Sequence, residues 1–125
     1  MPTIMIVDDN QDLLYTIEEA LKERARDLTI TTATTGKECL KKLEDTEPDI
    51  IILDIMMPDM NGWELSMKLK GHEKANNTPI IYLTGIDDQN CKRLGLTFGV
   101  DYLVKPFNAD QLYEAITKNL TQRRR

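Results

Sequence analysis

At 125 residues, with 41% hydrophobic and 30% charged residues and a formal charge of -5, the chain has the size and balance of one globular domain, not of a disordered or nucleic-acid-coating protein. No apolar run approaches the ~20 residues that span a bilayer, and no basic segment followed by a hydrophobic one opens the chain, so a cytoplasmic domain that engages neither membrane nor nucleic acid is expected. Cys39 and Cys91 lie far apart in apolar helical patterns and read as reduced core residues, without metal-ligand spacing.

Thr3-Ile4-Met5-Ile6-Val7 is a short apolar run that ends in Asp8 and Asp9, and it predicts a first strand. Leu13, Leu14, Ile17, Ala20 and Leu21 then recur at helical spacing and predict a helix over about residues 11 to 25. Leu28 to Ala33, with its threonines, suits a strand near a sheet edge. Thr35-Gly36-Lys37-Glu38 has the form of a capping box, so a helix is expected there that buries Cys39, Leu40 and Leu43.

After Pro48 comes Ile50-Ile51-Ile52-Leu53, apolar at every position, as in a parallel strand covered on both faces. Asp54 stands at its end. Asn61 with Glu64 three residues on predicts the cap of a helix whose Leu65 and Leu69 face the core, and the polar segment 71–78 reads as a surface loop. Pro79 to Leu83 predicts the fourth strand, which delivers Thr84. Asp87-Asp88 opens a pattern of Cys91, Leu94, Gly95 and Phe98 at helical spacing, with Gly99 as its stop. Asp101 to Val104 predicts the fifth strand, ending in Lys105. Asn108 to Gln111 resembles another capping box, followed by Leu112, Ile116 and Leu120 at a spacing of four.

Five strands alternating with five helices imply a doubly wound α/β domain with a parallel sheet, and the flavodoxin-like strand order 2-1-3-4-5 is the candidate. In such sheets ligands gather at the carboxyl ends of the strands. Here those ends carry Asp8, Asp9, Asp54, Thr84 and Lys105. Carboxylates this close repel one another: two unit charges ~4 Å apart cost about 4 kcal/mol at an effective dielectric of 20. Lys105 offsets one charge, and a hard divalent ion such as Mg²⁺, taking carboxylates and keeping waters, suits the rest. A carboxylate beside such cations has the makings of a nucleophile toward phosphorus.

Val7-Asp8-Asp9, Leu53-Asp54-Ile55-Met56-Met57-Pro58 with Gly62, Leu83-Thr84-Gly85, and Tyr102-Leu103-Val104-Lys105-Pro106-Phe107 together resemble the receiver domain of two-component response regulators, over essentially the whole chain. The resemblance implies a phosphorylatable receiver spanning residues 1–121, with 122–125 as a basic tail or the start of a linker. It implies that Asp54 accepts a phosphoryl group from a histidine kinase or phosphotransfer protein, with Asp8, Asp9, Asp54 and the Met56 carbonyl holding Mg²⁺ or Mn²⁺. Thr84 and Tyr102 are implied as a switch pair, Lys105 as the phosphate-contacting lysine, and Lys105-Pro106 as a cis bond.

The output would be a changed surface on the last strand and its flanking helices, read by an effector or by a homodimer formed on phosphorylation. Such a protein catalyses only its own phosphotransfer and dephosphorylation. Gly85 departs from the family's usual alanine, and Met56 and Ile86 are apolar at two positions that influence how long the phosphoryl group lasts. Two other readings fit the same residues: an interaction module that is never phosphorylated, and a Mg²⁺-dependent aspartyl phosphohydrolase. The latter would want Asp-x-Asp after the first strand, where this chain has adjacent aspartates.

Overall fold

The computed structural model describes residues 2–85 and 101–123. Five strands, β1 (Thr3–Val7), β2 (Thr29–Ala33), β3 (Ile50–Asp54), β4 (Ile80–Thr84) and β5 (Asp101–Val104), form one parallel sheet in the order β2-β1-β3-β4-β5. Among the described residues four helices flank it: α1 (Gln11–Arg24), α2 (Gly36–Lys42), α3 (Gly62–Lys70) and α4 (Ala109–Arg123). The expected helix over Cys91, Leu94, Gly95 and Phe98, its Gly99 stop, Ile86 and the last two arginines lie outside the described residues.

The apolar runs act as strands because each can be covered on both faces. β3 and β4 are buried at every position. One face of the sheet packs Met5, Val7, Ile51, Leu53 and Tyr82 with Cys39 of α2, Leu43 at its C-terminal cap, and Leu65 and Leu69 of α3. The other packs Ile4, Ile6, Ile50, Ile52, Ile81 and Leu83 with Leu14, Ile17 and Leu21 of α1 and Leu112 and Ile116 of α4. Alternate residues of the same strand thus serve opposite layers, as the pleat requires. β2 is an edge strand, as its threonines suggest.

The helix starts follow the expected side-chain chemistry. Asn10 Oδ1 accepts from Leu13 N at 3.1 Å, Thr35 Oγ1 from Glu38 N at 3.0 Å, and Asn61 Oδ1 from Glu64 N at 2.8 Å. Asn108 and Gln111 bond reciprocally, at 2.8 and 2.9 Å. Glu38 differs from the capping-box expectation, for its carboxylate accepts from the Thr34 hydroxyl at 3.4 Å and pairs with Lys42 at 3.5 Å. Leu40 is only partly buried. The 71–78 segment is not wholly a surface loop either: Ala75 and Thr78 are buried, and the Thr78 hydroxyl donates to Pro48 O at 3.3 Å. Cys39 is the expected core thiol, and burial pushes its pKa up to about 12.

The β3–α3 turn is tight. Gly62 N donates to Ile55 O at 2.8 Å, and a Cβ at Gly62 would stand 2.6 Å from Ile55 Cα and 2.8 Å from Asp54 O. Both neighbours are backbone, which has nowhere to go. Gly62→Ala is therefore expected to destabilise the domain by at least about 2 kcal/mol in urea unfolding. Gly71→Ala, whose Cβ would make only ordinary contacts at 3.7 Å, should stay within about 1 kcal/mol of the parent.

Candidate functional site

The strand register brings the polar residues level with one another. Val7 pairs with Leu53, so the residues that follow them, Asp8 and Asp54, leave the neighbouring strands β1 and β3 side by side. Thr84 pairs with Val104, and Lys105 follows directly, its N–H donating to Thr84 O at 2.6 Å. The Lys105-Pro106 bond is cis, as the resemblance implied. Carboxylate oxygens of Asp8, Asp9 and Asp54 lie within 4.8 Å of one another.

Asp8 and Asp54 are buried whereas Asp9 is exposed. Lys105 Nζ sits 2.8 Å from Asp8 Oδ2 and 3.7 Å from Asp54 Oδ2, so one ammonium faces two buried carboxylates and favours Asp8. Asp8 Oδ1 also accepts from Asn10 N at 3.0 Å, and Asp54 Oδ1 from Met56 N at 3.1 Å. Asp54 is thus the less compensated of the buried pair. Burial, then the charge of Asp8, raises its pKa from 3.8 to about 6, against the opposing pull of the Met56 N–H and Lys105; Asp9 adds to the rise. Three hard oxygen donors on a site short of positive charge are a donor set that fits Mg²⁺ or Mn²⁺.

The remaining expected residues lie on β4, on β5 and in the turn after β3. Thr84 is buried at the end of β4. Met56 is 76% exposed beside Asp54. Tyr102, on β5 opposite Tyr82, is partly buried against the layer that holds α2 and α3.

Several polar contacts carried no motif. Asp59, in the turn after Asp54, accepts from Gly36 N at 3.1 Å, tying that turn to the start of α2. Tyr82 is fully buried, its hydroxyl bonded to Ser66 Oγ and its ring 4.6 Å from that of Trp63. The only available signal was general: a tyrosine inside an apolar strand needs a partner for its hydroxyl. Asn119, beside the expected core residue Leu120, is buried and donates to Asp101 Oδ2 at 3.1 Å.

The family model described as response regulator receiver domain matches residues 4–117. Protein PilG of Pseudomonas aeruginosa is 37% identical over 114 residues, covering 90% of this chain and 83% of that protein. The alkaline phosphatase synthesis transcriptional regulatory protein PhoP of Bacillus subtilis is 37% identical over 106 residues, covering 84% of this chain but 42% of that protein. Hybrid signal transduction histidine kinase D of Dictyostelium discoideum is 33% identical over 124 residues, 98% of this chain and 8% of that protein. Among solved structures, the chemotaxis protein CheY4 of Vibrio cholerae superposes with a TM-score of 0.85 at 29% identity, covering 94% of this chain and 98% of that one.

The raised Asp54 pKa has a definite sign. Between pH 3.8 and about 6 the folded chain keeps a proton on Asp54 that the unfolded chain has released, so stability falls as pH rises through that window and stays lower above it. At roughly 1.4 kcal/mol per unit, the loss is on the order of 3 kcal/mol. In chelator, Asp54→Asn is expected to gain stability over the parent as pH is raised from about 4 to about 6. A difference that stays constant across that range would contradict the assignment.

Proposed function

The chain belongs to the response regulator receiver domain family, and from that premise we propose that it accepts a phosphoryl group on Asp54 from a phosphohistidine of a kinase or phosphotransfer protein. The observation that carries this reading is the convergence of Asp54 with Asp8, Asp9 and Lys105 at the carboxyl edge of the sheet. An Asp54 carboxylate oxygen attacks phosphorus, the P–N bond of the donor breaks, and its electron pair leaves with the imidazole. Lys105 favours Asp8, so the Asp54 carboxylate, ionised above about pH 6, is not held in a close ion pair and is available as a nucleophile.

Asp8, Asp9, Asp54 and the Met56 carbonyl would hold Mg²⁺ or Mn²⁺, which when bound neutralises charge on the phosphoryl oxygens. Lys105 supplies a second positive group to the same oxygens, and the Thr84 hydroxyl a hydrogen bond. In the phosphorylated state Thr84 is drawn toward the phosphoryl group, and Tyr102 turns inward beside it. The readout is then a changed surface on β5 and the helices flanking it, presented to an effector or a second phosphorylated copy. The domain catalyses its own phosphotransfer and dephosphorylation and acts otherwise as a signal carrier in the cytoplasm. The receiver is taken as residues 1–121 and the basic tail or start of a linker as 122–125, the first two of which continue α4.

Two experiments test this reading. Incubated with a small acyl phosphate and Mg²⁺, the parent should gain one phosphoryl group by intact mass and Asp54→Asn none; retained labelling in the variant would reject Asp54 as acceptor. Asp9→Asn removes one of three mutually repelling charges, so it should raise the melting temperature in chelator while weakening Mg²⁺ binding by about tenfold or more. An unchanged or lower melting temperature would count against the repulsion account.

A further inference from the structure

β2 closes one side of the sheet and pairs with β1 alone among the described residues. Residues of a parallel strand turn their N–H and C=O alternately toward and away from the neighbour. Thr29 N donates to Pro2 O and Ala33 O accepts from Asp8 N, so residues 29, 31 and 33 address β1. Ile30 and Thr32 therefore aim their backbone groups outward, and neither residue is fully buried. One of those outward groups is occupied, because Lys42 Nζ of α2 donates to Thr32 O. Glu38 steadies the lysine, its Oε1 3.5 Å from Nζ and its Oε2 bonded to the Thr34 hydroxyl at 3.4 Å.

We propose that the outer edge of β2 is a self-complementary pairing surface for a second copy of this chain, and that Lys42 keeps it closed. The edge matches itself. A two-fold axis through Thr31 sets Ile30 opposite Thr32 of the copy, in the antiparallel arrangement where facing residues exchange both N–H to O=C bonds. The two equivalent pairs offer four such bonds, and two of them need the Thr32 carbonyl that Lys42 holds. The same docking brings the two ammonium groups toward one another, adding repulsion. Thr-Ile-Thr-Thr-Ala is β-branched at four of five positions and contains neither proline nor charge, so the strand itself has none of the usual protections of an edge. The protection comes from the neighbouring helix.

Lys42→Met removes the ammonium and keeps an apolar stem, whereas Lys42→Arg retains a cationic donor. Light scattering of the unphosphorylated protein from micromolar to millimolar concentration is expected to find the parent and Lys42→Arg monomeric. Lys42→Met should dimerise at concentrations lower by about tenfold or more. Amide exchange at Ile30 and Thr32 should slow in that dimer, a readout independent of any further substitution. Adding Thr32→Pro removes an outward N–H without touching the bonds to β1, and should return the variant to monomer. A monomeric Lys42→Met, a dimer with unslowed exchange at Ile30 and Thr32, or a dimer that survives Thr32→Pro in a folded protein would overturn the proposal.

Discussion

Everything at the carboxyl edge of this sheet answers to the repulsion among three carboxylates whose oxygens lie within 4.8 Å of one another. Left alone, such groups would move apart or take up protons. Asp8 and Asp54 extend from β1 and from β3, the central strand beside it, whose apolar residues are all fully buried. The packed core prevents separation, so the crowding appears as a demand for cations and adds to the rise in the Asp54 pKa that burial causes first. Lys105 meets part of that demand from β5, at 2.8 Å from one carboxylate and 3.7 Å from the other.

The same frame explains how much of the molecule could be read from its residues. Buried parallel strands leave apolar runs, and amphipathic helices leave a stripe at helical spacing, so β1, β3, β4, α1 and α4 were legible. Strand ends are likewise visible, which is why Asp8, Asp9, Asp54, Thr84 and Lys105 stand out together in the sequence. Caps are local, and Asn61 and the Asn108–Gln111 pair behave as their spacing suggested.

What stayed hidden was polar and distant in sequence. Asp59 reaches Gly36 across 23 residues, and Thr78 reaches Pro48 across 30. Ser66 with Tyr82, and Asn119 with Asp101, are satisfied pairs inside otherwise apolar layers. No periodicity marks them, because each side chain is chosen by a partner that only the folded chain supplies. Glu38 is the instructive case: its spacing from Thr35 suggested a reciprocal cap, yet Thr34 and Lys42 claimed its carboxylate, placing the lysine at the sheet edge.

The proposal that Asp54, and not its acidic neighbours, takes the phosphoryl group is tested most directly by chemical trapping of the acyl phosphate. Borohydride reduces an aspartyl phosphate to homoserine, which peptide mass spectrometry locates by residue. After loading with a small acyl phosphate and Mg²⁺, homoserine is expected at position 54 alone. Homoserine at position 8 or 9, or a phosphorylated protein that yields none, would contradict the account.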